Sequence, residues 1–260
     1  MKMAFLQVNC YSNVLEMQVM LNVILPQQTK KRIGTDSVGA TTDVPVLYLL
    51  HGMGGNHSIW ERRTSVERYV DELGLAVVMP STDHGWYTDT TYDMKYWTYV
   101  SEELPQLLQE FFPQLSIKRE KTFAAGLSMG GYGAMKLGLR CPERFAAVAS
   151  LSGALAFTND PAPLLALRER AYWEGIFGPL EELGNSPENP LYLLSQLDPA
   201  KAPKLFVACG TEDDLYPVSG YFAKKATEKG FEVTYDEGPG IHDWKFWDEW
   251  LPRVLAWLPL

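Results

Sequence analysis

A serine flanked by glycines is the most chemically informative feature of this sequence. Residues 124–136 read AAGLSMGGYGAMK, which places Ser128 between Gly126 and Gly130 in the pattern G-x-S-x-G. The pattern is typical of a nucleophile elbow, a sharp strand-to-helix turn that lifts a serine hydroxyl clear of a sheet. Side chains two positions before and after the serine would block such a turn. Because short patterns also occur by accident, a glycine-rich turn that merely packs a helix on a strand is the alternative.

A serine hydroxyl is a poor nucleophile until a base takes its proton, so this chemistry requires a histidine and a carboxylate downstream. Asp213 and Asp214 follow a continuous apolar run, and His242 lies in a Gly-Pro-Gly loop after the next run. The order Ser, Asp, His, with the last two after strands, is the order that an α/β-hydrolase uses. Only one of the two aspartates can accept from the histidine, and the pattern alone leaves the choice open.

The other histidines indicate no metal site. His57 and His84 lie in polar loops, where a solvated imidazole is expected. No pair of histidines has metal-ligand spacing with a third ligand nearby. We therefore expect His242 to be the base, and we expect neither a metal nor another cofactor.

The mechanism also needs N–H donors for the oxygen that becomes negative during attack on a carbonyl. An apolar run leads into His51-Gly52-Met53-Gly54-Gly55, where small residues let the backbone approach a ligand. The backbone N–H groups of Met53 and of Met129, the residue after the serine, are the predicted pair. We expect Gly52 and Gly54 to lie against the substrate. A glycine-rich turn without a catalytic role is the alternative.

These residues require a sheet whose strands end near one another. Helix-like stretches alternate with apolar runs that are too continuous for half-exposed strands, so the runs are predicted to be buried on both faces. The alternation predicts a mostly parallel central sheet with helices on both faces, preceded by an antiparallel hairpin around Ser12-Asn13. The predicted buried strands cover residues 44–50, 75–80, 121–125, 146–152, 204–210 and 231–238.

The length of 260 residues, with 46% apolar and 21% charged residues, predicts one α/β domain over residues 1–260. The C-terminal stretch places its apolar residues on one helical face, and Pro252 is expected to kink or split that helix. A net charge of -9 argues against nucleic acid or an anionic membrane as a partner.

Near the start of the chain, the apolar stretch MAFLQV is too short for the core of a signal peptide. No run of 18 apolar residues is present in the sequence. The three cysteines have neither zinc nor redox spacing, which predicts reduced thiols. A cytoplasmic location is therefore expected. The sequence leaves the oligomeric state open, a homo-oligomer included.

Six motifs are spread along the chain: LYLLHGMGGNHSIWERRTSVERYV, MPSTDHGWYTD, GLSMGGYGAMKLGLRCPERFAAVASLSGAL, GNSPENPLYLL, GTEDDLYP and GIHDWKFWDEWL. Together they resemble the putative-esterase family of serine hydrolases, which contains tributyrin esterases, S-formylglutathione hydrolases (esterase D), feruloyl esterases and mycolyltransferases. The resemblance spans residues 45–251 and is closest to the short-chain acyl esterases of the tributyrin type. It implies an α/β-hydrolase fold, while the acidic surface suggests a small neutral ester as substrate.

Carried over residue by residue, the resemblance implies Ser128 as nucleophile, His242 as base, Asp213 as the orienting acid, and Met53 and Met129 as oxyanion donors. It also implies a helical cap at about residues 154–200 and a substrate-binding loop, HGWYTD, that contains Trp86 and Tyr87.

Two departures from the family pattern bear on the substrate. S-formylglutathione hydrolases often carry a cysteine shortly after the HG pair and a GAGFY loop, whereas this chain has Gly54-Gly55-Asn56 and HGWYTD. The mycolyltransferases are secreted, and no export signal is visible. A short-chain serine carboxylesterase is therefore predicted, with a thioesterase, an acyltransferase and a non-catalytic binding module as the alternatives.

Aromatic residues in the surrounding loops are predicted to narrow the pocket, which would favour acyl groups from acetyl to about butyryl. Trp244 is the ring expected to belong to the core instead. The rings considered are Trp60, Trp86, Tyr87, Trp173 and Trp244.

Overall fold

The computed structural model describes residues 3–27 and 42–260. In these residues eight strands form one sheet in the order β1-β2-β4-β3-β5-β6-β7-β8. The strands are β1 (Met3–Ser12), β2 (Met17–Pro26), β3 (Val46–Leu50), β4 (Ala76–Pro80), β5 (Thr122–Leu127), β6 (Ala147–Leu151), β7 (Lys204–Gly210) and β8 (Val233–Gly238). Strands β3 to β8 are parallel, whereas β2 is antiparallel to both of its neighbours. The predicted mostly parallel sheet and the initial hairpin are confirmed.

Helices follow most of the parallel strands, as the alternating pattern predicts. The α-helices of the described residues are α1 (Ile59–Arg63), α2 (Val66–Val70), α3 (Tyr96–Thr98), α4 (Leu104–Phe111), α5 (Met129–Arg140), α6 (Ala162–Leu165), α7 (Arg170–Phe177), α8 (Pro190–Gln196), α9 (Tyr216–Glu228) and α10 (Trp244–Trp257). A π-helical turn, Tyr99–Glu103, joins α3 to α4. Helix α10 continues across Pro252, so the proline does not split it. Each of these helices is too short or too polar to cross a membrane.

The sheet separates two apolar cores, which explains why the central strands read as unbroken apolar runs. On one face the strands pack against α1, α2 and α10, through residues such as Trp60, Val70 and Leu251. On the other face they pack against α4, α5 and α9, through residues such as Leu104 and Phe222. Both faces of the central strands are therefore removed from water.

Strand β8 is the exception, and the prediction that it is buried on both faces is wrong. It covers Val233–Gly238, and its side chains are half-buried or exposed. The strand is hydrogen-bonded only to β7 and forms the edge of the sheet. An edge strand has solvent beside it, so its polar residues, including Asp236 and Glu237, do not need burial.

The chain between β6 and β7 contains α6, α7 and α8, in the stretch where the helical cap is predicted. A buried ion pair ties this stretch to the rest of the molecule. The Lys136 side chain of α5 is fully buried, and its ammonium group donates to the Glu188 carboxylate just before α8. The same ammonium group donates to the Tyr87 carbonyl oxygen at 2.8 Å. Charged groups this deep in a protein are normally paired in this way.

Candidate active site

The turn between β5 and α5 has the geometry of an elbow. Ser128 is its only residue, and its φ of 52° and ψ of -119° lie in a region that non-glycine residues avoid. The Ser128 N–H donates to the Leu151 carbonyl oxygen of β6 at 2.8 Å, which fixes the strained backbone. The side chain is partly exposed, while its neighbours Leu127 and Met129 are buried. The hydroxyl is thus presented to solvent from a rigid part of the fold.

Two glycines allow this turn for the steric reason that the sequence predicts. A Cβ atom at Gly126 would lie 2.3 Å from the carbonyl oxygen of Gly130. A Cβ atom at Gly130 would lie 2.3 Å from the carbonyl oxygen of Leu50, at the end of β3. Both distances are far below van der Waals contact, so only glycine fits at either position.

The structure brings Ser128, His242 and Asp213 together in one hydrogen-bonded series. His242 lies in the loop between β8 and α10; its Nε2 is 3.0 Å from the Ser128 hydroxyl oxygen, and its Nδ1 is 2.9 Å from Asp213 Oδ2. With the ring hydrogen on Nδ1 donated to the carboxylate, Nε2 can accept the serine hydrogen. The imidazole side chain is 36% exposed, so a substrate can reach the serine beside it.

The two adjacent aspartates occupy opposite surroundings. The Asp213 side chain is fully buried, and its Oδ1 accepts the Leu215 N–H at 2.8 Å. Burial would raise the pKa of Asp213, but the hydrogen bonds from His242 and Leu215 outweigh it and hold that pKa below its usual value. Asp214 is exposed and faces the cavity. The geometry therefore pairs Asp213 with the histidine.

The glycine-rich loop after β3 lies directly against the elbow. A Cβ atom at Gly52 would be 2.4 Å from Leu127 Cδ1 and 3.4 Å from Ser128 Cβ. The Gly55 N–H donates to the Gly52 carbonyl oxygen at 3.0 Å and closes a turn with Met53 and Gly54 at its tip. Gly54 has a φ of +77°, which favours glycine. This close approach brings the backbone around Met53 next to Ser128.

Met129 is the second predicted donor of an N–H group. It is the first residue of α5, so its N–H has no acceptor within the helix. The positive end of the α5 dipole points the same way and favours a negative charge at this position. The arrangement suits an oxygen that becomes an anion next to Ser128.

His51 supports this loop from behind, a role that the sequence analysis did not assign. It is buried; its Nε2 accepts the Thr82 N–H at 3.0 Å, and its Nδ1 lies 2.8 Å from the Gly52 carbonyl oxygen. Burial lowers the pKa of His51 to about 4, so the ring is neutral near pH 7. Tyr87 is also fully buried, and its hydroxyl donates to the His51 carbonyl oxygen at 2.9 Å. Tyr87 therefore contacts the loop and does not line the cavity.

A cavity of about 940 Å³ opens over Ser128 and His242. Its walls come from the loop after β3, the stretch between β6 and β7, and the start of α9, and they are largely apolar. Besides Ser128 and His242, the lining includes Met53, Trp86, Phe157, Leu164, Leu167, Trp173, Tyr192, Val218 and Tyr221. Such a mixture of apolar walls with a few polar groups is typical of a small-molecule site.

Only two of the five aromatic residues considered in the sequence analysis reach the cavity. Trp86 and Trp173 line the cavity. Trp60 and Trp244 instead pack edge-to-face on each other, with centroids 5.3 Å apart; Trp60 lies in the core, and the half-buried Trp244 packs against that core. The core placement expected for Trp244 is confirmed, and the expectation that Trp60 narrows the pocket is wrong. Trp60 is buried because its apolar ring faces the sheet and its indole N–H donates to the Leu50 carbonyl oxygen.

Tyr172 of α7 is a further cavity neighbour that sequence reasoning missed. Its hydroxyl accepts the indole N–H of Trp86 at 3.3 Å and donates to the Met53 sulfur at 3.4 Å. It thereby joins the stretch between β6 and β7 to the glycine-rich loop. A single tyrosine outside any motif gives no signal in the sequence that could have identified this contact.

The charged groups that line the cavity are acidic. Asp160 and Asp214 are exposed at its walls, while Asp213 is engaged by His242. Among the described residues that line the cavity, none is a lysine or an arginine. The exposed carboxylates of Asp160 and Asp214 therefore disfavour anionic ligands by like-charge repulsion.

Comparisons with known proteins give matches over nearly the whole chain. A family model described as "Putative esterase" matches residues 12–258. The acetyl esterase of Caldicellulosiruptor saccharolyticus is 31% identical over 98% of this chain and 98% of its own. The fluorophosphonate-binding serine hydrolase FphF of Staphylococcus aureus has a TM-score of 0.87 and 31% identity, over 100% of both chains. The S-formylglutathione hydrolase FrmB of Staphylococcus aureus has a TM-score of 0.85 and 32% identity, over 99% of both.

Proposed function

Because this chain belongs to the Putative esterase family, we propose that it is a serine carboxylesterase that hydrolyses short-chain acyl esters through an acyl-enzyme. The family model, the similar acetyl esterase and the similar serine hydrolase FphF support an esterase of the serine hydrolase class. The observation that carries the finer proposal is the hydrogen-bonded series from Ser128 through His242 to Asp213, at the floor of an open cavity.

Acylation begins when His242 Nε2 takes the hydroxyl hydrogen of Ser128 as the serine oxygen attacks the ester carbonyl carbon. The carbonyl oxygen becomes an anion, which the backbone N–H groups of Met53 and Met129 stabilise. When the tetrahedral species collapses, the bond to the alcohol oxygen breaks. His242 returns its proton to that oxygen, and the alcohol leaves with the serine acylated.

Deacylation repeats these steps with water. His242 Nε2 removes a proton from a water molecule, whose oxygen attacks the acyl carbon. The bond to the Ser128 oxygen then breaks, the serine recovers its hydrogen from His242, and the acid is released. Throughout the cycle Asp213 remains ionised, holding the ring hydrogen on Nδ1 and stabilising the imidazolium. The low pKa of Asp213 suits this role.

The size of the cavity indicates how large the acyl part and the alcohol part of the substrate are. About 940 Å³ exceeds what an acetyl or butyryl group fills, so the remaining volume is available to the alcohol part. The similarity to an acetyl esterase over nearly the whole chain favours a short acyl group. We therefore infer an ester of a short acid with a larger, neutral alcohol. In this scheme residues 154–200 act as a cap over the alcohol part, and Trp86 contacts it.

A thioesterase acting on S-formylglutathione is the second candidate, because one similar structure carries that name at 32% identity. Glutathione has two carboxylates and one ammonium group, so its conjugates carry net negative charge. The cavity offers Asp160 and Asp214 but, among the described residues that line it, no lysine or arginine. Like-charge repulsion therefore favours a neutral ester over the glutathione thioester.

A panel of substrates tests the proposal. We expect kcat/KM to rise from acetyl to butyryl p-nitrophenyl esters, since each buried methylene adds about 0.8 kcal/mol, and to fall beyond about eight carbons. S-formylglutathione and hemisuccinate esters should be poorer substrates than butyrate esters. Ser128→Ala is the control for turnover that does not depend on the site.

A preference for long acyl chains, or turnover of S-formylglutathione far above that of simple esters, would replace the proposal with its alternative. Added alcohols would reveal acyl transfer through acceptor-dependent products.

A further inference from the structure

Ser152 lies in a conformation that calls for an explanation. It follows the last residue of β6, is fully buried and has a φ of 51°, in the left-handed region where glycine is the usual residue. Its N–H donates to the Ala208 carbonyl oxygen of β7 at 2.7 Å, so the backbone is held there. A serine at such a position carries a conformational cost that a glycine would not. Because strained residues cluster at functional sites, this cost indicates a functional role for the Ser152 hydroxyl.

The Ser152 hydroxyl oxygen accepts the indole N–H of Trp247 at 3.1 Å. The thiol of Cys209, also buried, donates to the same oxygen at 3.8 Å. Both contacts use the oxygen as an acceptor, which leaves its own hydrogen free to be donated. Ser152 also helps to keep the pKa of the nearby Asp213 carboxyl below its usual value, after the larger contributions of His242 and Leu215.

Trp247 connects this hydroxyl to the imidazole. The indole lies edge-to-face with the His242 ring, with centroids 5.0 Å apart and planes at 89°. It is nearly fully buried and packs on Trp244 on its other side, so it has little freedom to move. An aromatic contact of this kind fixes the direction of the smaller ring as well as excluding water from one side.

We propose that Ser152 and Trp247 are positioning residues that hold the His242 imidazole in line with Ser128 and Asp213. The hydroxyl secures the indole ring, and the indole limits the rotation of the imidazole. Neither residue touches the reacting atoms. The expected effect on kcat rests on the proposed function. The orientation of the His242 ring by Trp247 does not depend on turnover.

The chain contains a matched control on the same helix. Trp257 donates its indole N–H to the hydroxyl oxygen of Thr234 at 3.0 Å and packs on the Phe206 ring at 5.3 Å. This pair reproduces the tryptophan-to-hydroxyl contact of Trp247 and Ser152, but it lies at the far end of α10. Trp257→Phe and Thr234→Ala therefore remove the same kind of bond without touching the catalytic series.

The test compares Ser152→Ala and Trp247→Phe with these two controls in kcat and KM for a butyrate ester. We expect kcat to fall about 10- to 100-fold in the first pair, with KM within about twofold, because small misplacements of a catalytic group act on the chemical step. The controls should keep kcat within about twofold. The double variant should lose little more than the worse single one, because the two residues act together.

A spectroscopic readout separates this inference from the proposed function. The proton on His242 Nδ1, donated to Asp213, gives a far-downfield NMR signal, which should shift or broaden in both test variants and stay unchanged in both controls. Unchanged kcat and an unchanged signal would overturn the inference. If the wild type hydrolyses no ester, the proposed function fails, while the NMR comparison still decides on the positioning pair. Should Ser152→Ala not fold, Ser152→Gly suits the positive φ and removes the same hydroxyl.

Discussion

At the scale of single residues, two neighbouring aspartates illustrate how surroundings decide a chemical role. Asp213 has a fully buried side chain that accepts from His242 and from a backbone N–H, whereas Asp214 is exposed. The sequence motif gives both residues the same setting after β7. The distinction arises from the direction in which each side chain leaves the loop, and the structure supplies it.

We predict that Asp213→Asn lowers kcat by about three orders of magnitude, because the amide can donate to Nδ1 and stabilise the wrong tautomer of His242. Asp214→Asn is the matched control, since it makes the same change one residue away. It should leave kcat within about tenfold, allowing for some distortion of the loop. Steady-state kinetics on a butyrate ester provides the measurement. If Asp214→Asn proved the more damaging change, the role of orienting acid would pass to Asp214.

At the scale of elements, the elbow depends on how closely α5 approaches the end of β3. Gly130 lies in the first turn of α5, and a Cβ atom there would also come within 2.6 Å of the His51 carbonyl oxygen. Backbone oxygens cannot move aside as a flexible side chain can. An alanine at this position must therefore push apart the serine elbow and the loop that carries Met53.

We predict that Gly130→Ala removes most activity and lowers the free energy of unfolding by about 1–3 kcal/mol, the usual range for overpacking. Gly220→Ala in α9 is the control, because the nearest atom to its Cβ would be the Tyr235 hydroxyl oxygen at an ordinary 3.4 Å. Alanine is the better helix former, so this variant should be as stable as the wild type or more so. Urea unfolding and esterase activity are measured together. Equal behaviour of the two alanine variants would contradict the steric account.

Much of the fold could be predicted because the central strands are buried on both faces and leave unbroken apolar runs in the sequence. The burial of strand β8 could not be predicted from its sequence. The run from Phe231 onward resembles the runs of the central strands, whereas the position of β8 at the edge of the sheet depends on tertiary structure. The same limit applies to the cavity. A pattern marks Ser128 and His242 as candidate site residues, but it cannot say that Trp60 faces the core or that Tyr87 lies behind the loop.

At the scale of the whole molecule, a buried ion pair joins the sheet domain to the stretch between β6 and β7. The Lys136 ammonium group donates to Glu188, whose carboxylate also accepts from Thr88 at 2.9 Å and Tyr132 at 3.1 Å. Burial lowers the pKa of Lys136 to about 8, and Glu188 counteracts that shift. Without the carboxylate, the lysine would have to be neutral or unpaired inside the protein.

We therefore predict that Glu188→Gln lowers the free energy of unfolding by about 3 kcal/mol near pH 7. The unfolded chain binds the lysine proton more tightly than the folded variant does, so the stability of the variant should rise with pH and the deficit should shrink by pH 9. Glu181→Gln, which removes a partner of the exposed Arg170, is the control and should cause little change. Denaturant unfolding at several pH values measures the free energy of unfolding of both variants and of the wild type. A deficit no larger than that of the control would show that the pair does not hold this stretch in place.

The central claim is that Ser128 carries the acyl group during turnover, and intact-protein mass spectrometry after rapid acid quenching tests it most directly. We predict that wild-type protein mixed with a p-nitrophenyl ester gains the mass of one acyl group, located on the peptide that contains Ser128. Ser128→Ala should gain none. His242→Ala should acylate far more slowly. In ester turnover, the double variant should lose little activity beyond either single variant, because the residues act as one unit. An acyl group on another residue, or equal labelling of Ser128→Ala, would contradict the account.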